Sequence, residues 1–253
     1  MALYYPFVYR KLTMLINLKK IGKQYKTPKG LVWALRDIDL VVSKNQRVGI
    51  IGPNGSGKST LLKIVSGITQ PSKGIAKIKG KVVSLANLES GFHPELTGKE
   101  NILINGMLAG MSRGEVLSKR DQIIKFADIG RYIDIPFYTY SQGMKFRLAF
   151  AVAVMSECDL MVMDEIFVAG DVEYQFKVMR TIRKMQRDTG MTTIISSHVL
   201  AYAMALADTF YYLQKGKINK MSKKEVNSML KKESSSWERE LGIYFGYSDA
   251  KKP

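Results

Sequence analysis

A glycine-rich stretch between two apolar runs carries the clearest chemical signal in the sequence. The apolar runs are Arg47 to Ile51 and Leu61 to Val65, so the order predicts a strand, a loop and a helix. Glycines let such a loop curl with its N–H groups pointing inward, and the start of the helix adds partial positive charge. We therefore predict a phosphate-binding loop rather than a glycine turn without a ligand. It consists of Gly52, Pro53, Asn54, Gly55, Ser56, Gly57, Lys58, Ser59 and Thr60.

Two residues of this loop have chemistry of their own. Lys58 is predicted to reach the β- and γ-phosphates of a bound nucleotide, because its ammonium group compensates their charge. Ser59 is predicted to hold Mg²⁺ through its hydroxyl group. The expected ligand is therefore a nucleoside triphosphate with its magnesium ion.

Two adjacent carboxylates, Asp164 and Glu165, follow the apolar run Leu160 to Met163. Parallel strands end at the sheet edge where the phosphate loop lies, so both carboxylates should face the nucleotide. Asp164 is then placed to hold the Mg²⁺ shell, and Glu165 to polarise a water for in-line attack on the γ-phosphate. The alternative is an acidic strand end that caps the next helix.

His198 follows the next short strand, Thr192 to Ile195, after two serines. The strand order would bring its imidazole to the same edge, in reach of the terminal phosphate and the attacking water. A lone histidine with a structural role is the alternative. We predict the functional role from its placement.

The elements that must position these residues follow from the apolar pattern. A strand is predicted to begin at Leu15 to Lys19, with Tyr25 in a loop that ends near Gly30, and Leu31 to Val42 is predicted to form a pair of strands. Between about 95 and 156 the period is helical, which indicates an inserted helical lobe. Tyr174 to Asp188 is predicted to form an amphipathic helix.

We divide the chain into three parts: an N-terminal aromatic and basic extension at 1–14, a nucleotide-binding domain at 15–232, and a C-terminal tail at 233–253. The extension has four aromatic residues between Tyr4 and Tyr9, then Arg10 and Lys11. It suits a membrane interface, packing on a partner, or a loosely held terminus. The tail follows a lysine-rich region from Lys215 to Lys232.

Composition limits the class of protein. The 253 residues hold 39 lysines and arginines against 22 acidic residues, and the net charge of +17 favours an anionic partner, either nucleic acid, an anionic membrane surface or the nucleotide itself. The single cysteine, Cys158, excludes an internal disulfide and fits a reducing cytoplasm. We expect no secretory signal, because Met1 to Leu15 has neither an apolar stretch of adequate length nor a small-residue cleavage site. We expect no spanning helix, because polar residues interrupt the longest uncharged run, Thr189 to Ala207.

A further motif, Tyr140 to Met144, opens a helix predicted to be amphipathic and to run to about Ser156, with Ser141 as its N-cap. Together with the preceding motifs it resembles the signature sequence of ATP-binding subunits of ABC transporters. The resemblance covers about Leu15 to Gly216. It implies an α/β P-loop domain with a mixed sheet, an antiparallel β region and a helical lobe, with ATP and Mg²⁺ as cofactors.

In that family two subunits pair head to tail and sandwich two ATP molecules. The signature helix of one subunit closes on the γ-phosphate held by the other, so Ser141, Gln142 and Gly143 would contact the ATP of the partner. The resemblance also implies that Tyr25 stacks on adenine and that His198 is the switch histidine. The segment Ala169-Gly170-Asp171 corresponds to the loop that contacts the second subunit.

The sequence departs from the usual family pattern at two places. The two glycines of the signature are Gln142 and Gly143 here, and Met144 replaces the glutamine that usually follows. The loop that joins the two lobes contains no glutamine, and either Asn87 or Glu89 is the candidate replacement.

Together with the segments 91–101 and 164–171, these departures make the sequence resemble the polysaccharide-exporter branch of the family. The ATPases of that branch export O-antigen, capsule or teichoic acid polymers on lipid carriers. Some O-antigen members carry a C-terminal sugar-binding domain. About 37 residues follow Gly216 here, so we expect no such domain.

The resemblance implies a homodimeric ATPase that drives export of a lipid-linked polysaccharide through a separate integral-membrane subunit. We expect it to be peripheral, at the cytoplasmic face of the inner membrane. The rival function is a nucleic-acid- or ribosome-associated ATPase of the same superfamily, which the charge would suit. Such proteins commonly have two ATP domains in tandem or a long insertion, so we expect no nucleic-acid partner. An ATPase that serves cofactor assembly is a second rival, which the segment from Phe92 to Asn101 disfavours by resemblance.

Overall fold

A computed structural model describes residues 13–28, 30–86, 89–164 and 172–233. Several predictions lie outside these ranges. They concern residues 1–12 of the extension, the tail beyond residue 233, Asn87, Glu165 and the segment Ala169-Gly170-Asp171.

Two sheets form the framework of the described residues. A three-stranded antiparallel sheet has the order β2-β1-β4, and a six-stranded sheet has the order β5-β6-β7-β3-β8-β9. In the larger sheet only the β8–β9 pair is antiparallel. The strands are β1 (Met14–Thr27), β2 (Gly30–Ser43), β3 (Arg47–Ile51), β4 (Lys73–Ile78), β5 (Val82–Ser84), β6 (Leu160–Asp164), β7 (Thr192–Ser196), β8 (Thr209–Gln214) and β9 (Lys217–Met221).

The helices of the described residues separate into those near the large sheet and those of a lobe inserted between β5 and β6. The first group is α1 (Lys58–Val65), α5 (Val172–Thr189), α6 (Leu200–Leu206) and α7 (Lys223–Glu233). The lobe contains α2 (Gly98–Leu108), α3 (Arg113–Ala127), α4 (Gln142–Met155) and two short 3-10 helices at Gly130–Asp134 and Phe137–Thr139. The mixed sheet, the antiparallel region and the helical lobe all agree with the predicted fold.

Local sequence explains where the lobe helices begin. Thr97 caps α2 and Ser112 caps α3, each with a glutamate three residues later that bonds back to the cap. The hydrogen bonds from Thr97 lower the pKa of Glu100, and those from Ser112 lower the pKa of Glu115. Both carboxylates therefore stay ionised and complement the positive ends of their helices.

Three apolar clusters hold these parts together. One fills the space between the antiparallel sheet, α1 and the large sheet, and includes Ile16, Leu40 and Leu62. A second lies on the other face of the large sheet, against α4, α5, α6 and α7. The third is the core of the helical lobe.

The structure corrects two strand predictions. Tyr25 lies within β1 and pairs with Val32, where a loop was predicted, and residues 31–42 belong to one continuous strand and not to a pair. Register shifts near Lys19 and Ile21 interrupt the alternation of buried and exposed side chains along β1. The strand nevertheless pairs with β2 along its whole length. The apolar pattern is interrupted at such a bulge even though the strand continues.

The structure also corrects the prediction that α4 is amphipathic. Every residue from Leu148 to Val154 is buried. Phe146 and Phe150 belong to the cluster on the large sheet, whereas Leu148 and Val152 belong to the core of the lobe. The helix is thus covered on two sides, because it lies between two cores.

No helix within the described ranges combines the length and the apolar character needed to cross a bilayer.

Candidate nucleotide-binding site

Three of the predicted site segments, the phosphate loop, Asp164 and the segment that leads to His198, lie at one edge of the large sheet. Strands β6, β7 and β3 are parallel neighbours, and each ends where a polar segment begins. The register aligns Asp164 with Ser196 and Ser196 with Ile50, two residues before Gly52. The phosphate loop, Asp164 and the segment that leads to His198 are therefore neighbours, as the sequence predicted.

The glycines of the loop adopt conformations that other residues avoid. Gly52, Gly55 and Gly57 have φ values of 151°, 74° and 111°. A Cβ atom at Gly52 would overlap the carbonyl oxygen of Leu213, whereas one at Gly55 would meet no atom within 4 Å. Gly52 is therefore required by the close packing of the loop on β8, and Gly55 borders open space.

Lys58 is buried, and its ammonium group points back over the loop. Its Nζ atom donates to the carbonyl oxygens of Gly52 at 2.8 Å and Pro53 at 3.1 Å. These carbonyls are neutral acceptors, and an anion in the loop would be a stronger one. The lysine is thus held at the loop before any phosphate arrives.

A buried hydroxyl also fits the loop to a polar ligand. The Oγ atom of Ser56 has no hydrogen-bond partner among the described residues. Buried hydroxyls are rarely left unpaired, since this costs about 1–3 kcal/mol. The neighbouring loop positions Pro53, Asn54 and Gly55 are exposed, so a ligand can reach the loop from solvent.

The loop is braced from behind by two segments that the sequence did not point to. The backbone N–H of Gly216 donates to the Ser56 carbonyl at 3.2 Å, and the N–H of Arg36 donates to the Gly216 carbonyl at 2.7 Å. A Cβ atom at Gly57 would lie 2.5 Å from the Ala34 carbonyl oxygen. Strand β2 and the β8–β9 turn therefore fix the loop through backbone contacts.

Asp164 is half-buried and accepts a hydrogen bond at Oδ1 from the hydroxyl of Ser196. The bond orients the carboxylate at the end of β6. No role was predicted for Ser196, although a polar residue after the apolar pair Ile194-Ile195 was a usable signal. An oriented carboxylate and the exposed hydroxyl of Ser59, in the first turn of α1, are oxygen donors of the kind that Mg²⁺ prefers.

His198 and Tyr25 are both exposed. His198 lies just after β7, between that strand and α6, as predicted. Ser197 fixes this turn, because its hydroxyl donates to the Val199 carbonyl at 3.0 Å and accepts from the Val199 N–H at 3.0 Å. The ammonium group of Lys23 lies 5.4 Å from the centre of the Tyr25 ring.

The signature segment forms the exposed start of α4. Ser141 is the N-cap, as predicted, and its hydroxyl accepts from the Met144 N–H at 3.3 Å. Just before it, burial raises the pKa of Tyr140 to about 12, so the phenol stays protonated and donates to the Tyr132 carbonyl at 2.5 Å. Tyr140 therefore anchors the helix start in the lobe core while Ser141 and Gln142 face solvent.

The side chain of Gln142 makes a contact that the sequence did not predict. Its Nε2 atom donates to Oε1 of Glu89 at 2.6 Å. Glu89 belongs to the loop that joins the two lobes, so this hydrogen bond connects that loop to the signature helix. The residues are 53 positions apart, and no local pattern could have paired them.

Comparison with known proteins places these features in a family. The profile described as "ABC transporter" matches residues 35–168. The chain is 42% identical over 202 residues to the O-antigen export system ATP-binding protein RfbB of Myxococcus xanthus, covering 80% of this chain and 46% of that protein. It is 38% identical over 192 residues to the RfbB protein of Klebsiella pneumoniae, covering 76% of this chain and 78% of that protein.

The chain is also 38% identical over 188 residues to the teichoic acids export ATP-binding protein TagH of Bacillus cereus, covering 74% of this chain and 34% of that protein. It therefore spans about half of the Myxococcus protein and about a third of the Bacillus protein.

Among solved structures, a dimeric ATP-binding cassette with bound ADP and Pi has a TM-score of 0.72 at 24% identity, covering 82% of this chain and 98% of that chain. An ATP-binding subunit of an ABC transporter has a TM-score of 0.73 at 24% identity, covering 91% of this chain and 99% of that chain. These two structures establish the fold.

Two glycine substitutions in the loop should differ in their effect on stability. Gly52→Ala should lower the free energy of unfolding by about 3 kcal/mol, because its methyl group overlaps the Leu213 carbonyl. Gly55→Ala should lower it by only about 1 kcal/mol, since the methyl group meets no atom and only the left-handed backbone is strained. Urea denaturation of both variants measures the difference, and equal losses would contradict the packing described for Gly52.

Proposed function

Since this chain belongs to the ABC transporter family, we propose that it is the ATP-hydrolysing subunit of a transporter that exports a lipid-linked cell-surface polysaccharide. The observation that carries the ATPase function is the convergence of the phosphate loop, Asp164 and the His198 segment at one sheet edge. The names of the relatives, which are O-antigen and teichoic acid export proteins, support the polysaccharide as cargo.

The loop residues bind the nucleotide in this proposal. The backbone N–H groups of the loop, to which Pro53 contributes none, and the start of α1 surround the phosphates. Lys58 exchanges its carbonyl acceptors for phosphate oxygens. Tyr25, exposed on β1 beside Lys23, stacks on the adenine ring.

Asp164 and Ser59 would hold Mg²⁺, and Ser196 keeps the carboxylate of Asp164 in position. Bound Mg²⁺ would neutralise charge on the β- and γ-phosphates. Glu165 serves as the general base that orients the attacking water, and His198 contacts the terminal phosphate. Both residues follow the ends of adjacent strands, β6 and β7.

The full site needs a second copy of the chain. In the proposed head-to-tail dimer, Ser141, Gln142 and Gly143 at the start of α4 face the γ-phosphate held by the partner. The accessibility of this helix start supports the arrangement, because Ser141 and Gln142 are exposed in the single chain.

The helical lobe supplies the surface for the membrane subunit. Leu108 is 70% exposed, and Ile104 and Met107 are also exposed on α2. Beside them lies a cleft of about 240 Å³ between α2, α4 and the edge strand β5. Because β5 pairs with β6, which carries Asp164, a partner docked here would be one strand away from the site. The subunit would thus act as a peripheral protein at the cytoplasmic face of the inner membrane.

Lys58→Ala should reduce ATP hydrolysis by about 10²-fold or more, because the phosphates lose their compensating charge. Steady-state ATPase assays measure the loss. Lys63→Ala is the matched control, since Lys63 lies in the same helix and makes no predicted phosphate contact. A Lys58→Ala variant that turns over ATP at the normal rate would refute the assignment of the loop.

Glu165→Gln should keep ATP binding but nearly abolish hydrolysis, because it removes the general base and preserves the side-chain shape. A dimer with trapped ATP should then accumulate and be visible by size-exclusion chromatography. Glu173→Gln, in the first turn of α5, is the control and should behave as the wild type. Loss of ATP binding in Glu165→Gln would exclude the proposed role of Glu165 as general base.

In the same assays, His198→Ala should depress ATP hydrolysis with a smaller effect on ATP binding.

Leu108→Glu should uncouple the subunit from its membrane partner while its own fold and ATP binding persist, because the residue is exposed on α2. We expect loss of co-purification with the membrane subunit and loss of polysaccharide at the cell surface. Ile68→Glu, an equally polar change at another exposed apolar residue, should leave both intact. If the wild-type protein instead binds RNA or ribosomes at physiological salt and never co-purifies with a membrane protein, the nucleic-acid function replaces this one.

A further inference from the structure

The positive charge of the chain is concentrated in its first third. Residues 13–86 contain 14 lysines and arginines against two acidic residues, Asp37 and Asp39. This segment therefore holds 12 of the 17 excess positive charges of the whole chain. In the structure it forms the antiparallel sheet, the phosphate loop with α1, and strands β3 and β5. Of these 14 basic residues only Lys58 belongs to the phosphate loop, so most of the charge lies outside that loop.

The outer face of the antiparallel sheet combines part of this charge with apolar side chains. Asn17 of β1 pairs with Val41 of β2 and with Lys77 of β4, and Lys19 pairs with Ile75. Directly paired residues point to the same face, as do residues two apart on a strand. These five residues therefore share the face opposite to Ile16, Leu18 and Ala76, which pack in the core. We call them the outer face.

Four of the five outer-face residues are exposed to solvent, and Asn17 is half-buried between them. Ile75 is 58% exposed and Val41 is 48% exposed, and Lys19 and Lys77 are exposed as well. A shallow groove of about 510 Å³ runs along the outer face, lined mainly by apolar atoms and also by Lys20 and by the acidic Asp39. Asn17 adds a carbonyl oxygen, Oδ1, that is buried without a hydrogen-bond partner in the described part of the chain.

The charges of this region are only partly neutralised. Lys73 forms an ion pair with Asp37 at 2.9 Å, and the carboxylate of Asp39 accepts from the backbone N–H of Lys20 at 2.9 Å. Lys19 and Lys77 have no ion pair with a carboxylate of the described residues. Lysines on an edge strand can serve to block pairing with another sheet, which would account for Lys77 on β4. That explanation does not extend to Lys19, because β1 is the central strand of the sheet.

We propose that the outer face binds the surface of an anionic phospholipid bilayer. Aliphatic side chains such as Val41 and Ile75 can enter the headgroup region, while Lys19 and Lys77 reach lipid phosphates with their long side chains. An RNA partner fits less well, because bases stack on aromatic or arginine side chains, and the five outer-face residues include neither. The inference deepens the proposed function and rests on it, since it gives the same subunit a direct lipid contact besides its membrane partner.

The test is sedimentation of the purified full chain with vesicles of phosphatidylcholine alone or of equal parts phosphatidylcholine and phosphatidylglycerol. The wild type should bind only the anionic vesicles, and binding should weaken as salt rises. The double variant Lys19→Gln/Lys77→Gln should bind about 25-fold more weakly, on the order of fivefold for each lysine removed. Ile75→Ser should also weaken binding but keep its salt dependence.

The matched control is Lys223→Gln/Lys224→Gln, which removes the same charge from the exposed start of α7. It should bind vesicles as the wild type does. Equal weakening in the two double variants would overturn the inference, because net charge alone would then explain binding. Binding of the wild type to neutral vesicles as tightly as to anionic vesicles would also overturn it. RNA binding that depends on Lys19 and Lys77 without vesicle binding would replace the bilayer with nucleic acid.

ATPase activity in the absence of lipid separates this inference from the proposed function. It should be unchanged in all of these variants, since none of the substituted residues belongs to the nucleotide site. If ATPase activity is normal but no anionic vesicle is bound, the outer face has no lipid role and the ATPase assignment stands. If the wild type hydrolyses no ATP, the proposed function fails whatever the vesicles show.

Discussion

The register of three parallel strands places Asp164, Ser196 and Ile50 in one row across the large sheet. The phosphate loop, the Asp164 carboxylate and the segment that leads to His198 each begin within two residues of this row. A shift of one residue in any strand would turn its side chains to the opposite face and carry its terminal residues about 3.3 Å along the strand. The fully buried side chains of these strands prevent such a shift, so the packing of an apolar core determines the geometry of a polar site.

A second constraint comes from α4, which is buried between the cluster on the large sheet and the core of the lobe. Because both sides of the helix are packed, its exposed N-terminus has a fixed position relative to the sheet. Glu89 and Gln142 add a polar contact between the joining loop and this N-terminus. The signature segment is thus connected to the phosphate edge through the core and through the loop. In the proposed dimer, this rigidity would let one copy present its helix start accurately to the other.

The sequence by itself determined which residues are candidates for the site and the order of the elements. The phosphate loop is a local motif, because its function needs glycine backbone conformations, one lysine and one hydroxyl within nine residues. Short apolar runs ending in polar residues predicted β6 and β7, and the change to helical period predicted the lobe. Helix N-caps such as Ser141 could also be predicted from local sequence, because the cap side chain bonds to a backbone N–H in the first turn of its own helix. The nucleotide-binding, metal-binding and catalytic roles of the site residues stay predictions, including those of Glu165 and of the loop near Asp171.

Only the tertiary structure decided which distant residues support that chemistry. Strand β1 continues through Tyr25 because it pairs with β2 across bulges, and α4 is buried on two sides because two cores meet there. The hydrogen bond from Ser196 to Asp164 and the backbone brace at Ala34 and Gly216 join residues far apart in the chain. The net charge follows from composition, whereas strand pairing decided which lysines share the outer face of the antiparallel sheet. Local patterns record the burial and turns of each segment, whereas contacts across strands depend on register, which exists only once the strands have paired.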